Sequence, residues 1–283
     1  MLKQRIITAW LLLALLLPSL FASRPEPFAL LTLILIAAGA WEWGRMNGLN
    51  RITSLLSGTL GLAGCAVLWF LGWIEQATAQ LWLFAGAAWV LLGAWMLLRG
   101  VAGWTQWPLT LRWPLGLIAL CLAWLALAQA RWVGSNFLLS VLVLVWAADV
   151  FAYFAGRALG GRWFPDKLAA SISPGKTWEG VVGGMVGVLI VSWCWIQADR
   201  YFELTVPSFH TRLWRQGAWF WLAALVFMTA MSVVGDLVES LIKRSAGVKD
   251  SSGLLPGHGG VLDRVDALLP TLPLAMMLVS WTS

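Results

Sequence analysis

Repeated apolar segments of roughly 18 or more residues limit the fold of this chain more than any other feature of its sequence. A helix of about 20 apolar residues is long enough to cross the hydrocarbon core of a bilayer. Apolar residues make up 60% of the 283 residues and charged residues 11%, whereas soluble domains average about 45–50% and 25%. The sequence therefore predicts an all-α polytopic integral membrane protein.

The hydropathy pattern predicts about nine transmembrane helices, and the short loops between them leave no room for a soluble domain. The predicted segments are 6–22, 28–44, 52–74, 80–99, 114–130, 134–156, 180–198, 217–238 and 261–281. The first follows Lys3 and Arg5 and so resembles a signal peptide. Its apolar run is long for that role, and Leu20, Phe21 and Ala22 form a poor cleavage site. We therefore expect a retained first helix.

The distribution of lysine and arginine predicts the orientation of the chain. With the N-terminus inside, the inner segments hold 14 of the 19 lysines and arginines. This bias predicts a cytoplasmic N-terminus and a C-terminus outside. The two longest charged loops, about 157–179 and 239–260, then face the cytoplasm, where soluble nucleotides and Mg²⁺ are found. The net charge of +6 is too small and scattered for a nucleic-acid face, so no nucleic-acid partner is expected.

Charge is concentrated in one stretch near the end of the chain, residues 240–266. It contains His258, five glycines and a proline, together with four cations and three carboxylates: Lys243, Arg244, Lys249, Arg264, Asp250, Asp263 and Asp266. Carboxylates hold Mg²⁺, cations neutralise phosphate oxygens, and glycines let backbone N–H groups come close to an anion. The stretch therefore predicts a site for a polyphosphate and its divalent metal.

Carboxylates inside apolar helices are costly when unpaired, so they are candidates for function. Asp149 shares one helical face with Arg157, which fits either a functional carboxylate or a structural ion pair. Asp236 lies one turn deeper than Glu239, whose i,i+4 neighbour Lys243 offers an ordinary ion pair. Asp236 has no such partner in the sequence and is therefore a metal-ligand candidate.

Asp263 and Asp266 are three residues apart and are expected on the same side of the first turns of the last helix. One of them fits the ordinary role of a carboxylate at a helix N-terminus. Two of them, with Arg264 between and the turn 256–260 before, indicate a metal or phosphate site. His258 in that turn is either a solvated loop residue or a contact for phosphate or the leaving group.

A second polar loop on the inner side contains the sequence SISPGKTWEG at 171–180. Its Gly-Lys-Thr triplet resembles a P-loop, but the first glycine of that motif would fall at Ala170, and no strand precedes it. The loop is therefore not a P-loop. Lys176, beside a helix N-terminus, still makes a sound phosphate contact.

Together these residues resemble the phosphatidate cytidylyltransferase (CDP-diacylglycerol synthase) family. The C-terminal signature of that family, S-x-x-K-R, K-D and P-G-H-G-G-x-x-D-R-x-D, is matched by Ser240, Lys243, Arg244, Lys249, Asp250, the turn 256–260, Asp263, Arg264 and Asp266. Its S-P-x-K-T-W-E-G element is matched by Ser173, Pro174 and residues 176–180. Gly175 stands where many members carry a second lysine, which removes one phosphate contact. The aspartate segment with A-Y-x-x-G-R is matched by Asp149, Ala152, Tyr153, Gly156 and Arg157.

The resemblance implies an enzyme that joins CTP to phosphatidic acid, giving CDP-diacylglycerol and pyrophosphate. Mg²⁺ is the expected cofactor, and the family's arrangement allows a second metal ion. The implied metal ligands are Asp149, Asp236, Asp263 and Asp266, with Asp250 as a further candidate. The implied phosphate-binding residues are Ser173, Lys176, Thr177, Ser240, Lys243, Arg244, Gly259 and Gly260. The implied catalytic residues are Lys249, Asp250, His258 and Arg264.

The chemistry of that reaction fits the residues. The phosphate monoester of phosphatidic acid is already anionic near pH 7, so it needs no general base. The difficulty is to bring one anion onto the α-phosphate of another, and metal ions and cations relieve that repulsion.

Two other functions are considered. A CTP-dependent polyprenol kinase would share the membrane and the nucleotide but would transfer the γ-phosphoryl group. An anion transporter would place its polar groups near the bilayer midplane, often in repeated halves. Here the charge gathers at one face, and the sequence shows no repeat.

The family resemblance also implies an organisation for the chain. Residues 1–130 are expected to be scaffold helices with a contact for a homodimer, and residues 131–283 a catalytic transmembrane domain. The expected location is a bacterial-type cytoplasmic (inner) membrane, with the site facing the cytoplasm. The lipid substrate is expected to enter from the inner leaflet, with its acyl chains between helices.

Overall fold

The computed structural model describes residues 2–76 and 79–280, apart from the side chains of Leu2 and Lys3. The Lys3 charge used in the orientation count and the last residue of the predicted span 261–281 thus lie outside the described parts. The described chain forms eleven helices and no β-strand. They are α1 (Leu2–Leu20), α2 (Glu26–Met46), α3 (Arg51–Phe70), α4 (Ala79–Thr105), α5 (Leu109–Val133), α6 (Ser135–Leu159), α7 (Trp178–Tyr201), α8 (Phe209–Arg215), α9 (Ala218–Ser245), α10 (Leu262–Val265) and α11 (Leu268–Ser280).

Seven of the described helices, α2 to α7 and α9, are long and apolar enough to cross a membrane. The prediction of an all-α polytopic membrane protein is therefore confirmed. Each of the nine predicted segments falls on helix, but α1 offers only the shorter apolar segment Gln4–Leu20, and α11 has 13 residues. The number of nine crossings and the orientation of the chain ends thus stay predictions.

The last predicted span is wrong in one respect, because residues 262–280 form two helices. α10 ends at Val265, and Asp266 follows it before α11 begins. The Asp266 carboxylate accepts the backbone N–H of Ala267 (2.7 Å). Pro270 has no N–H to donate to the Asp266 carbonyl, as a continuous helix would require. That carbonyl instead packs against Gly235 of α9. Because the helix is broken here, Asp263 lies on α10 and Asp266 lies between α10 and α11.

α11 lies against α4, α5, α6 and α9 and is almost entirely buried. Thr271 is fully buried there, and its hydroxyl donates to the Ala267 carbonyl (2.8 Å). Around this helix, α2 packs on α3 and α5, while α9 packs on α4 and α7. The helices of the two predicted halves therefore share one hydrophobic core.

α6 and α7 pack closely because α7 presents glycines to the α6 backbone. A Cβ on Gly184 would lie 2.9 Å from the Ala148 carbonyl oxygen, and one on Gly180 would lie 3.0 Å from the Ala152 carbonyl oxygen. The missing side chains let the two backbones come together. As a result, Asp149 of α6 lies next to the loop that precedes α7.

The polar loops gather at one end of the bundle. The Lys176 ammonium contacts the Asp236 carboxylate, and the Arg244 guanidinium donates to the Ile172 carbonyl (3.4 Å). The first contact joins the loop before α7 to α9, and the second joins the two charged loops that are predicted to face the cytoplasm. The Thr8 hydroxyl donates to the Pro256 carbonyl (2.9 Å), so the first turns of α1 lie at the same end.

Gly184→Ala is expected to lower the free energy of unfolding by about 1–3 kcal/mol, because the added methyl group would press on the α6 backbone. Thermal unfolding of the purified protein in detergent measures the change. Gly253→Ala is the matched control, since nothing lies within 4 Å of a Cβ at that position. Equal stability of the two variants would contradict the close α6–α7 contact.

Candidate active site

The first polar cluster joins α6, the loop before α7, and α9. The Lys176 Nζ lies 2.6 Å from Asp236 Oδ2, and the two side chains are 25% and 31% exposed. The Ser240 hydroxyl donates to Asp236 Oδ1 (3.3 Å). The Asp149 carboxylate is close enough to be attracted by Lys176 and repelled by Asp236. We call Asp149, Lys176, Asp236, Ser240 and Asp266 the Asp236 cluster.

Asp266 completes this cluster from the break between α10 and α11. Burial raises the pKa of its carboxyl, and repulsion by Asp236 and Asp149 raises it further. The three carboxylates come from separate elements, and the Lys176 ammonium contacts the one on α9. A cation or a proton would relieve that repulsion.

A second cluster centres on Lys243, about two turns along α9 from Asp236. Its ammonium contacts Glu239 Oε2 (2.5 Å) and Asp263 Oδ1 (2.6 Å). The other oxygen of Asp263 accepts the Ser251 N–H (2.9 Å), the Ser251 hydroxyl (2.9 Å) and the Gly260 N–H (2.8 Å). Burial alone would raise the pKa of Asp263, but these hydrogen bonds, with that of Lys243 foremost, hold it below its usual value. We call Lys243, Glu239 and Asp263 the Lys243 cluster.

Glu42 of α2 binds the segment 251–262, which carries part of the C-terminal signature and is called the signature loop below. This carboxylate is fully buried. It accepts hydrogen bonds from the Val261 N–H (2.9 Å), the Leu262 N–H (2.8 Å), the Ser252 hydroxyl (2.5 Å) and the Ser251 hydroxyl (3.2 Å). Ser251 therefore contacts both Glu42 and Asp263. Two otherwise unpaired N–H groups at the start of α10 are satisfied by this one side chain.

Sequence reasoning did not single out Glu42, although a signal was present. Glu42 is a carboxylate inside an apolar span, between Trp41 and Trp43. The same criterion selected Asp149 and Asp236. Its partners lie about 210 to 220 residues further along the chain, and the sequence alone gave no means of pairing them.

The glycines of the turn 256–260 are required by its geometry. Gly257 and Gly259 have φ values of 78° and 83°, which favour glycine. A Cβ on Gly259 would also lie 2.7 Å from Asp263 Oδ2. The Gly260 N–H was expected to bind phosphate, but here it donates a hydrogen bond to the Asp263 carboxylate. His258 is half-buried, and its Nδ1 has no hydrogen-bond partner among the described residues.

The loop before α7 is held by its own polar groups. The Thr177 Oγ1 accepts the Gly180 N–H (3.1 Å), so this expected phosphate contact serves as the N-cap of α7. Glu179 accepts the N–H groups of Trp163 and Phe164 (both 3.0 Å). Ser173 is half-buried in the same loop, and its N–H donates to the Ala169 carbonyl (2.8 Å).

The remaining predicted residues are exposed around the two clusters. Lys249 and Asp250 lie on the loop after α9, and Arg264 of α10 donates its Nε–H to the His258 carbonyl (3.0 Å). Arg157 donates to the Tyr153 hydroxyl (3.1 Å). Within the described chain Arg157 makes no ion pair with Asp149, so the structural alternative for Asp149 is not observed.

The residues present suit a magnesium ion. In the described chain no three or more His, Cys, Asp or Glu side chains form a ready metal shell. Mg²⁺ does not require one, since it keeps several waters and is usually held by one or two carboxylates plus substrate phosphates. Asp149, Asp236 and Asp266 bring carboxylate oxygens of this kind from α6, from α9 and from the break before α11.

Comparison with known proteins assigns the chain to a family. A profile of the Cytidylyltransferase family matches residues 3–282. The chain belongs to the cytidylyltransferase family. It is 37% identical over 278 residues to a phosphatidate cytidylyltransferase of Pseudomonas aeruginosa, with 96% of this chain and 95% of that protein covered. A phosphatidate cytidylyltransferase of Haemophilus influenzae is 35% identical over 293 residues, with 96% of each chain covered. A Bacillus subtilis protein of the same name is 36% identical over 147 residues, or 52% of this chain and 48% of that protein.

The family relationship confirms the resemblance that the motifs predicted. The family profile also extends over α1 to α5, where the sequence contributed only a hydropathy pattern. This extent agrees with the structure, in which Glu42 and Thr8 from the first two helices contact the signature loop.

Glu42→Gln is expected to reduce turnover by about a hundredfold, because a displacement of about 1 Å in an active-site group can cost that much. A glutamine has one acceptor oxygen where the carboxylate has two, and its NH₂ would face backbone N–H groups. Cytidylyl transfer by the purified variant measures the effect. Glu75→Gln, a change at an exposed carboxylate, is the control, and normal turnover of both would contradict the role of Glu42.

Proposed function

We propose that this protein transfers the cytidylyl group of CTP to phosphatidic acid, giving CDP-diacylglycerol and pyrophosphate. The observation that carries the proposal is its similarity over nearly its full length to two proteins named phosphatidate cytidylyltransferase. The cations and carboxylates gathered at one end of a membrane bundle support it, because both substrates are anionic and one of them is a lipid.

The reaction needs no general base. The lipid phosphate monoester, with a second pKa of about 6, is anionic near pH 7. One of its oxygens forms a bond to the α-phosphorus of CTP while the bond from that phosphorus to the bridging oxygen breaks. The departing pyrophosphate takes the electron pair. The work of the site is to bring the two anions together and to stabilise the pyrophosphate.

The cations of the two clusters are proposed to do this work. Lys176 is partly exposed and lies beside the N-terminus of α7, where a phosphate oxygen is well placed. Lys243, which is held between two carboxylates, would provide a second phosphate contact. The other proposed contacts surround them: Ser173, Thr177, Ser240, Arg244, Lys249, Asp250, His258, Gly259, Gly260 and Arg264.

Mg²⁺ is proposed to bind at the Asp236 cluster, through Asp149, Asp236 and Asp266. Asp263 would give up its contact with the Lys243 ammonium and bind a metal ion instead. Its carboxylate would then provide a ligand for a second ion. When bound, the metal neutralises phosphate charge and stabilises the leaving group.

The membrane arrangement is part of the proposal. Nine crossings, with α1 and α11 included, would place the N-terminus in the cytoplasm and the C-terminus outside. The site would face the cytoplasm from a bacterial-type inner membrane, as in a protein whose relatives come from bacteria. Helices of residues 1–130 would support the catalytic part, 131–283, and provide the contact of a homodimer.

Purified protein in detergent, with phosphatidic acid, Mg²⁺ and labelled CTP, tests the function directly. We expect label from the α-position of CTP in the lipid and release of pyrophosphate, both abolished by EDTA. Lipid labelled only from the γ-position would show a CTP-dependent lipid kinase instead. No transfer from either position would overturn the assignment to an enzyme of this class.

Asp236→Asn and Asp266→Asn are each expected to lower turnover by about a hundredfold or more, the usual effect of removing a group that stabilises transition-state charge. Each variant should also need more Mg²⁺ for half-maximal rate. Asp166→Asn, at an exposed carboxylate of the loop before α7, is the control. Wild-type rates and unchanged Mg²⁺ dependence in both cluster variants would exclude these two carboxylates as metal ligands.

A further inference from the structure

The first turn of α1 packs directly on the turn 256–260 of the signature loop. A Cβ on Gly257 would lie 2.7 Å from Arg5 Cγ and 3.4 Å from the Arg5 backbone nitrogen. The φ of Gly257 is 78°, so glycine is needed here both for the backbone conformation and for the space that α1 occupies. Arg5 therefore lies against the residue that precedes His258.

Thr8 strengthens the same contact one helical turn further along α1. Its hydroxyl donates to the Pro256 carbonyl (2.9 Å), and the residue is buried. Residues 5 and 8 are three apart and so lie on one face of the helix. This face is held against the turn 256–260 at two positions, which places Arg5 at the edge of the candidate active site.

The guanidinium of Arg5 is free to bind a ligand. Arg5 is exposed, and within the described residues its side chain forms no hydrogen bond or ion pair. Arg264, which donates to the His258 carbonyl, also forms no ion pair there. Two arginines therefore contact the turn 256–260, and no salt bridge among the described residues neutralises either of them.

Arg5 lies at the boundary between the polar end of the bundle and its apolar surface. Ile6, Ile7 and Trp10 follow it on α1, and all three are exposed. Exposed apolar side chains of a membrane bundle contact the lipid chains. An arginine beside such a surface keeps its charged group at the level of the lipid head groups. The phosphate groups of bilayer lipids lie at the same depth.

We propose that Arg5 binds the phosphate group of the phosphatidic acid, so that the first turn of α1 forms part of the lipid site. The inference rests on the proposed function, which supplies a lipid with a phosphate monoester. Such a group carries a charge of about −1.5 to −2 near pH 7, and a guanidinium donates two parallel hydrogen bonds to it. The phosphodiester of an ordinary bilayer lipid has less charge, so Arg5 also favours the substrate over its neighbours.

The test compares Arg5→Gln with the unmodified protein in mixed detergent micelles, and measures KM for phosphatidic acid and for CTP separately. We expect KM for phosphatidic acid to rise about tenfold or more, since a hydrogen bond to a charged group contributes about that factor. KM for CTP should stay the same. Arg51→Gln is the matched control, because Arg51 is an exposed arginine at the first position of α3. Both of its KM values should equal those of the unmodified protein.

Arg5→Lys keeps the positive charge but loses the planar pair of donors. Its KM for phosphatidic acid should therefore lie between those of the unmodified protein and Arg5→Gln. If Arg5→Gln does not fold, the rise in Arg5→Lys serves the same test. A rise in KM for CTP alone would assign Arg5 to the nucleotide and overturn the proposal, and unchanged KM values for both substrates would overturn it as well.

A binding measurement separates this inference from the proposed function. Native mass spectrometry of the unmodified protein should show that it retains phosphatidic acid in preference to phosphatidylmethanol, a phosphodiester with the same acyl chains. Arg5→Gln should lose this preference. A preference that survives in Arg5→Gln rejects the phosphate contact, even where turnover is normal. Absence of cytidylyl transfer by the unmodified protein rejects the proposed function, even where the preference depends on Arg5.

The mass of the purified protein provides an independent check, because the proposal requires that α1 is retained. Cleavage after Ala22 would remove Arg5, Thr8 and their contacts with the turn 256–260. We expect the intact mass of the active protein to include α1. A fully active protein that begins after Ala22 would overturn the proposal.

Discussion

A buried carboxylate on the second helix determines where the polar residues of this protein stand. Glu42 binds two backbone N–H groups and two serine hydroxyls of a segment more than 200 residues away. A charge that is fully removed from water is stable only when its oxygens are fully hydrogen bonded, and the signature loop supplies the donors. The loop in turn cannot satisfy the first N–H groups of α10 without Glu42. Each partner therefore requires the other, and scaffold and site form one unit.

The two polar clusters also depend on the pairing of charged groups. Lys243 neutralises two carboxylates, and Lys176 neutralises a third, so both lysines are already paired. Among the described residues, Asp149 and Asp266 form no salt bridge of their own. The unpaired carboxylates therefore belong to the Asp236 cluster.

Much of this arrangement could be predicted from the sequence. Hydropathy located the seven helices that are long enough to cross a membrane, since the apolar length that a bilayer requires can be read directly from the sequence. Asp236 with Lys243 and Asp263 with Arg264 were found from local spacing and the family motif.

The long-range contacts could not be predicted in this way. Glu42 depends on a pairing across the whole chain, and the break at Asp266 depends on Pro270 and on the approach of Gly235 in another helix. Lys243 was expected to bind phosphate, and its pairing with Glu239 follows from their i,i+4 spacing. Its contact with Asp263 appears only when α9 and α10 are placed together.

The contacts of Thr8 and Glu42 with the end of the chain have a consequence for the order in which the protein is completed. Both residues are synthesised more than 200 residues before the segment that they bind. α1 and α2 must therefore remain without these partners until the last part of the chain has been made, so the polar end of the bundle is assembled only at the end of synthesis.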